Sequence, residues 1–169
     1  MEERDEIARP VEVEIRGLIL DPVSNTPIVI LKKPNENVFL PIWIGLFEAN
    51  AIALELEGVG TPRPMTHDLL RTIVQGLGAR VVAVVVHALV ENTFHAKVVL
   101  REPGGRDVEV DARPSDAIAL ALRCRAPIRV VEEVFRAAHT LDVSEEDEEG
   151  QLREWLESLS PEQLGKYRM

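Results

Sequence analysis

Two short segments carry the residue types best suited to chemistry on an anion. They are Thr61–Asp68, which reads TPRPMTHD, and Asp111–Asp116, which reads DARPSD. Both place Arg-Pro shortly before a hydroxyl residue and an aspartate. A guanidinium forms paired hydrogen bonds with a carboxylate or a phosphate. The repeated Arg-Pro pattern therefore predicts two corners that meet an anionic partner.

His67 adds a titratable group to the first of these corners. It is expected in the first turn of a helix, beside Asp68 and at the positive end of the helix dipole, where anions also bind. An imidazole at such a position can serve as a general base or as a metal ligand. The candidate catalytic residues are therefore His67, Arg63 and Arg113.

Four carboxylates fall near predicted junctions between a strand and a helix. If the two halves of the chain pack face to face, these side chains converge and can hold a divalent cation. Mg²⁺ or Mn²⁺ in such a site bridges a phosphodiester and activates water. No zinc-ligand spacing, P-loop or Gly-x-Ser-x-Gly motif competes with this prediction. The predicted metal ligands are Glu48, Asp68, Asp111 and Asp116.

A purely structural interpretation of both segments stays open. Thr66 and Ser115 are good helix N-caps, and an aspartate in the first turn complements the helix dipole. Arg113 is equally suited to an ion pair with Asp111 or Asp116. On this interpretation the two corners stiffen the entry to two helices and bind nothing.

The elements that must position these residues follow from apolar periodicity. Three short runs joined by turn residues predict an antiparallel meander, followed by a helix over Phe47–Leu56. A further helix begins at Thr66 and ends near Gly76, and its apolar stripe consists of Leu69, Leu70, Ile73 and Leu77. The three predicted strands of the first half are Val11–Leu20, Pro27–Lys33 and Val38–Ile44.

The second half repeats this plan. Three strands and a helix recur, and the helix phrase Ala51-Ile-Ala-Leu returns at Ala117. The order predicts two β-β-β-α units that form one mixed, largely antiparallel sheet with packed helices, an α+β fold. A last strand and a last helix complete the core. These elements are Arg80–Val90, Thr93–Arg101, Arg106–Asp111, Ser115–Arg123, Pro127–Val131 and Glu132–His139.

Charge and composition limit the functional classes. The formal net charge is −10, which argues against general electrostatic adhesion to nucleic acid. Residues 143–169 account for −5 of this charge, so the core is only mildly acidic. We divide the chain into a domain over residues 1–142 and, over residues 143–169, an acidic linker with a short helical tail (Gln151–Leu159) that folds on the core or docks on a protein partner.

The short apolar runs and the single cysteine, Cys124, indicate a cytoplasmic protein without a signal sequence, a membrane span or an internal disulfide.

Several uncommon strings occur along the chain: LPIWIG from Leu40, Glu48-Ala49, PRPMTHDLL from Pro62, FHA from Phe94 and DARPSDAIAL from Asp111. They resemble signature stretches of the bifunctional nuclease family, and the resemblance extends over about residues 11–134. It implies an α+β domain, a homodimer and a nuclease that acts on both DNA and RNA. It supplies no catalytic set, so the site residues remain those chosen on chemistry.

Three functional hypotheses therefore stand. In the first, the chain is a metal-assisted phosphodiesterase in which His67 activates or positions water and the arginines stabilise phosphate charge. In the second, it is a non-catalytic dimeric module that binds an anion or small ligand at the Arg-Pro corners. In the third, it is a scaffold whose helix around Trp155 recruits a partner.

Overall fold

The computed structural model describes residues 9–142 and 148–158. Within these residues the chain forms eight strands and five helices. In chain order they are β1 (Val11–Leu20), β2 (Pro27–Lys32), β3 (Val38–Trp43), α1 (Leu46–Leu56), α2 (Thr66–Gly76), β4 (Arg80–Val90), β5 (Thr93–Arg101), β6 (Asp107–Ala112), α3 (Pro114–Cys124), β7 (Ile128–Val130), α4 (Glu132–Ala137), β8 (Leu141–Asp142) and α5 (Glu148–Ser158).

The strands form a single mixed sheet in the order β6-β5-β4-β7-β1-β2-β3-β8. Each half of the chain contributes an antiparallel meander, and β7 joins them by pairing parallel to β4 and antiparallel to β1. The predicted α+β class and the repeated order of three strands and a helix are therefore confirmed. Whether the repeat reflects a duplication stays a hypothesis.

β1 bridges the two halves of the sheet. Its first residues, Val11–Val13, pair with β7, and the residues from Glu14 onward pair with β2. The register of the second pairing shifts between Ile15 and Gly17. A bulge of this kind bends a strand and increases its twist, so one strand can serve both meanders.

Helices cover the sheet on both faces. α1 and α3 pack together over the main core, where Ile52 and Ile118 are fully buried. On the opposite face, Leu152 and Leu156 of α5 pack against a smaller cluster that includes Ile28, Ile30, Phe39 and Trp43. Because β2 is covered on both faces, five consecutive residues of this strand are buried. The tail helix thus folds back on the core.

The N-caps of the two helices that follow the Arg-Pro pairs lie one and two residues earlier than predicted. The N-cap positions are Met65 and Arg113, so the expectation of hydroxyl caps at Thr66 and Ser115 is wrong. At α2, an oxygen of Asp68 accepts the backbone N–H of Met65 at 2.8 Å. At α3, Pro114 occupies the first turn, where its missing N–H leaves no bond unmade.

Smaller differences lie at the end of the core. The last strand and helix are shorter than predicted, and β8 is an additional strand of two residues, too short for periodicity to reveal. The helical turn predicted from Ser160 and most of the acidic linker lie outside the described residues. In the part of the chain that the structure describes, no helix is long and apolar enough to cross a membrane.

A buried carboxylate, Asp21, anchors the turn between β1 and β2. Its oxygens accept the indole N–H of Trp43 at 2.7 Å and the backbone N–H groups of Val23 and Ser24 at 2.8 and 3.2 Å. Burial alone would raise the pKa of Asp21, but these hydrogen bonds outweigh burial and lower it. The turn is therefore tied to β3 by a charged hydrogen bond.

We expect Trp43→Phe to lower the free energy of unfolding by about 1.5–3 kcal/mol more than Trp155→Phe, because only Trp43 donates to a buried carboxylate. Trp155 is partly buried against the same cluster and undergoes the same substitution, so it is the control. Urea unfolding followed by far-ultraviolet circular dichroism measures both. Equal losses in the two variants would contradict this account.

Candidate functional site

The two Arg-Pro corners meet at one pocket between α1, α2 and the start of α3. Its volume is about 350 Å³, and Glu48, His67, Arg113 and Asp116 lie in its wall. These four residues come from three different helices. Four of the seven predicted site residues therefore share one pocket, and packing of the helices brings them together. The remaining lining residues are Phe47, Asn50, Ala51, Leu54, Met65 and Thr66.

A continuous chain of polar contacts joins the four side chains. His67 Nε2 lies 2.9 Å from Asp116 Oδ1, and Arg113 Nε donates to Asp116 Oδ2 at 2.8 Å. Arg113 also donates through Nη2 to Glu48 Oε1 at 2.8 Å. Asp116 thus holds an imidazole on one oxygen and a guanidinium on the other. This is an orienting arrangement for both groups.

The ionisation state of Asp116 determines the tautomer of His67. Burial would raise the pKa of Asp116, but hydrogen bonds from Arg113 and His67 outweigh it and lower the pKa. An ionised carboxylate only accepts hydrogen bonds. Nε2 of His67 therefore carries a proton, and when the ring is neutral the lone pair lies on Nδ1. His67 is only 7% exposed, so the ring has little freedom to leave this position.

Arg123 is a second organising residue that the sequence prediction missed. It is 6% exposed and donates to Asp68 Oδ1 at 2.8 Å, to the carbonyl of Ala51 at 3.0 Å and to the carbonyl of Ala119 at 2.9 Å. One guanidinium therefore joins α1, α2 and α3. The signal for it was present, because an arginine four residues after Ala119 falls on the buried stripe of an otherwise apolar helix.

Three predicted site residues lie apart from the chain of contacts around Asp116. Asp68 is bound to Arg123 and to the start of α2, and the bond to Met65 is the main cause of its lowered pKa, with Arg123 adding to it. Asp111 is exposed on the edge strand β6, and Arg63 is exposed in the link before α2. Across residues 9–142 and 148–158, no three His, Cys, Asp or Glu side chains form a group that could hold a metal ion.

We expect Arg123→Met to lower the free energy of unfolding by about 3–5 kcal/mol, because it leaves the Asp68 carboxylate without its buried partner. Arg125→Met is the matched control, since Arg125 is exposed just after the same helix and should change stability by less than about 0.5 kcal/mol. Chemical denaturation measures both. A loss in Arg123→Met no larger than in the control would rule out this role.

The lowered pKa of Asp116 gives a signed pH prediction. Its ionised form stabilises the fold above about pH 4, and this contribution is lost as pH falls through the lower pKa of the folded state. The Asp116→Asn variant has no ionisable group at this position and lacks this contribution to stability. The stability difference between wild type and Asp116→Asn should therefore shrink as pH falls from about 6 toward about 3. Urea titrations across this range test it, and parallel curves would contradict it.

Comparisons with known proteins identify the family of this chain. An uncharacterised protein of Mycobacterium tuberculosis strain H37Rv is 40% identical over 161 residues, which cover 89% of this chain and 96% of that protein. Bifunctional nuclease 2 of Arabidopsis thaliana is 29% identical over 108 residues, 63% of this chain and 33% of the plant protein.

Bifunctional nuclease 1 of Oryza sativa subsp. japonica is 25% identical over 112 residues, 65% of this chain and 34% of that protein. The shared region is thus about a third of each plant chain. The family model of the bifunctional nuclease domain matches residues 29–142, which include every residue of the pocket. The chain belongs to the bifunctional nuclease domain family.

Proposed function

We propose that this chain hydrolyses phosphodiester bonds in DNA and RNA at the pocket that contains His67 and Asp116. The observation that carries the proposal is the part-buried His67–Asp116 hydrogen bond, which lies in the wall of a pocket that a guanidinium also lines. Membership of the bifunctional nuclease domain family and the names of the plant relatives support the same reaction class.

The contacts suggest a role for each group. Asp116 orients His67 so that Nδ1 can take a proton from water, which then attacks phosphorus. The P–O bond to the leaving sugar oxygen breaks, and the imidazolium can return the proton to that oxygen. Arg113 places positive charge beside the phosphate, where negative charge grows in the transition state. Asp116 and Glu48 hold the guanidinium at this place.

For the divalent cation we propose a smaller ligand set than the four predicted carboxylates, and the ion would have to displace part of the pairing with Arg113. Glu48 and Asp116 line the same pocket, whereas Asp68 is bound to Arg123. Mg²⁺ is commonly held by one or two carboxylates, with water and substrate phosphates completing its shell. We therefore propose Glu48 and Asp116 as the protein ligands of Mg²⁺ or Mn²⁺. Such an ion, when bound, would neutralise phosphate charge.

A second candidate function is a non-catalytic module that binds an anion or small ligand. The observation that favours it is the saturation of the polar side chains by one another: no buried side-chain nitrogen or oxygen in residues 9–142 and 148–158 is without a partner. The charged side chains of the pocket already pair with one another, and this pairing is also consistent with a stable binding site. The predicted homodimer, the cytoplasmic location and a protein partner for the tail stay proposals.

The proposed reaction predicts that His67→Ala and Asp116→Asn lose at least about 100-fold in cleavage rate, which is the usual effect of removing a general base or its orienting partner. Labelled single-stranded DNA and RNA are incubated with highly purified protein in Mg²⁺, in Mn²⁺ and in chelator. His87→Ala is the matched control because His87 is exposed on β4, outside the pocket.

The outcomes separate the alternatives. Cleavage that persists equally in wild type, His67→Ala and Asp116→Asn would exclude this pocket as the active site. Cleavage in chelator at the wild-type rate would exclude the cation while keeping the His67–Asp116 mechanism. Absence of cleavage in every condition, with thermal stabilisation by an added nucleotide, would favour the binding module.

A further inference from the structure

Helix α2 is oriented with its polar face toward the protein and its apolar face toward solvent. His67, Asp68 and Arg71 point inward, where they contact Asp116, the side chain of Arg123 and the Arg123 carbonyl. Leu69, Leu70 and Ile73 of the helix and Leu77 directly after it are between 40% and 74% exposed, whereas Val74 is half-buried. An amphipathic helix on a globular protein normally has the reverse orientation.

The inward face cannot be exchanged for the apolar one. The hydrogen bonds of His67 and Asp68 build the pocket wall and satisfy the buried Arg123, so rotation of α2 would leave that guanidinium without its carboxylate. The outward stripe is therefore a fixed consequence of the site. Its exposure requires a separate explanation.

The stripe continues into a larger apolar surface at the mouth of the pocket. Met65 precedes α2 and is 45% exposed, and Phe47 across the pocket is 86% exposed. We call these six residues the α2 surface: Phe47, Met65, Leu69, Leu70, Ile73 and Leu77. Together they expose on the order of 600 Å², at the upper end of what a typical monomer shows and near what each partner of a small stable interface buries.

We infer that the α2 surface is the contact between two copies of this chain. Both charged residues of α2, Asp68 and Arg71, are turned inward. The outward face of the helix therefore carries no charge: besides its apolar side chains it contains only the uncharged residues Thr66, Thr72, Gln75 and Gly76. Two copies with a net charge of −10 each repel one another, and a charge-free face allows contact without burying like charges.

Charge also argues against a membrane as the occupant. Amphipathic helices that lie on anionic lipid present Lys and Arg beside the apolar face. α2 turns its only basic side chain, Arg71, toward the core, and the whole chain is acidic. An isologous contact needs no complementary partner, because an apolar face of this kind matches itself about a twofold axis.

The closing experiment is sedimentation analysis of wild type, Ile73→Glu and Val23→Glu. Wild type should sediment as a dimer of about twice 18.9 kDa at high micromolar concentration, and its melting temperature should rise with protein concentration. Ile73→Glu should sediment as a folded monomer, because Ile73 is already half exposed in the single chain. Val23→Glu adds the same charge to an exposed apolar residue in the β1–β2 turn and should remain a dimer.

Other results would overturn the inference. A wild-type protein that stays monomeric, or an Ile73→Glu variant that stays dimeric, excludes the α2 surface as the contact. If Val23→Glu were also monomeric, dissociation of the dimer would follow from the added negative charge and not from the loss of the α2 surface. Binding of monomeric wild type to vesicles of anionic phospholipid would assign the surface to a membrane. None of these measurements depends on cleavage, so they test the dimer contact independently of the proposed nuclease activity.

Discussion

The hydrogen bonds of the buried Arg123 guanidinium are the interaction on which the packing of α1, α2 and α3 depends. The guanidinium donates to a carbonyl of α1, to a carboxylate of α2 and to a carbonyl of its own helix α3. A charge this deeply buried is tolerated only where its hydrogen bonds are satisfied. The positions of the three helices are therefore coupled, since moving any one of them leaves part of the guanidinium without a partner.

The geometry of the pocket follows from this coupling. With α2 held by Asp68, the preceding residue His67 points to the start of α3 and meets Asp116. With α1 held through Ala51, Glu48 reaches Arg113 from the other side. The Asp68–Arg123 pair is thus a support for the His67–Asp116 pair, although neither residue of the support lines the pocket. The same orientation leaves the apolar stripe of α2 in solvent.

The match to the bifunctional nuclease domain model begins within β2 and ends at β8. It therefore contains the pocket and α2, and it leaves out β1 and α5. α5 covers the face of the sheet opposite α1 and α3, away from the pocket, and the β1 residues Ile19 and Leu20 lie beside it in a separate cleft. The match to the M. tuberculosis relative spans nearly the full length of both proteins. The pocket between α1, α2 and α3 and the cluster that α5 covers thus lie on opposite sides of the sheet.

The sequence by itself determined the elements, the repeated order and four of the pocket residues. Strand and helix periodicity are local properties, so β1, β4 and β5 have the predicted bounds. The Arg-Pro motifs likewise pointed to His67, Arg113 and Asp116 through their residue types, and Glu48 was found from its position at a junction between a strand and a helix. Only the tertiary structure decided which carboxylates converge, that Asp68 pairs with Arg123, and which face of α2 is buried. These outcomes depend on contacts between residues about 50–70 positions apart, and in α2 such contacts overrode the local rule that an apolar stripe faces the core.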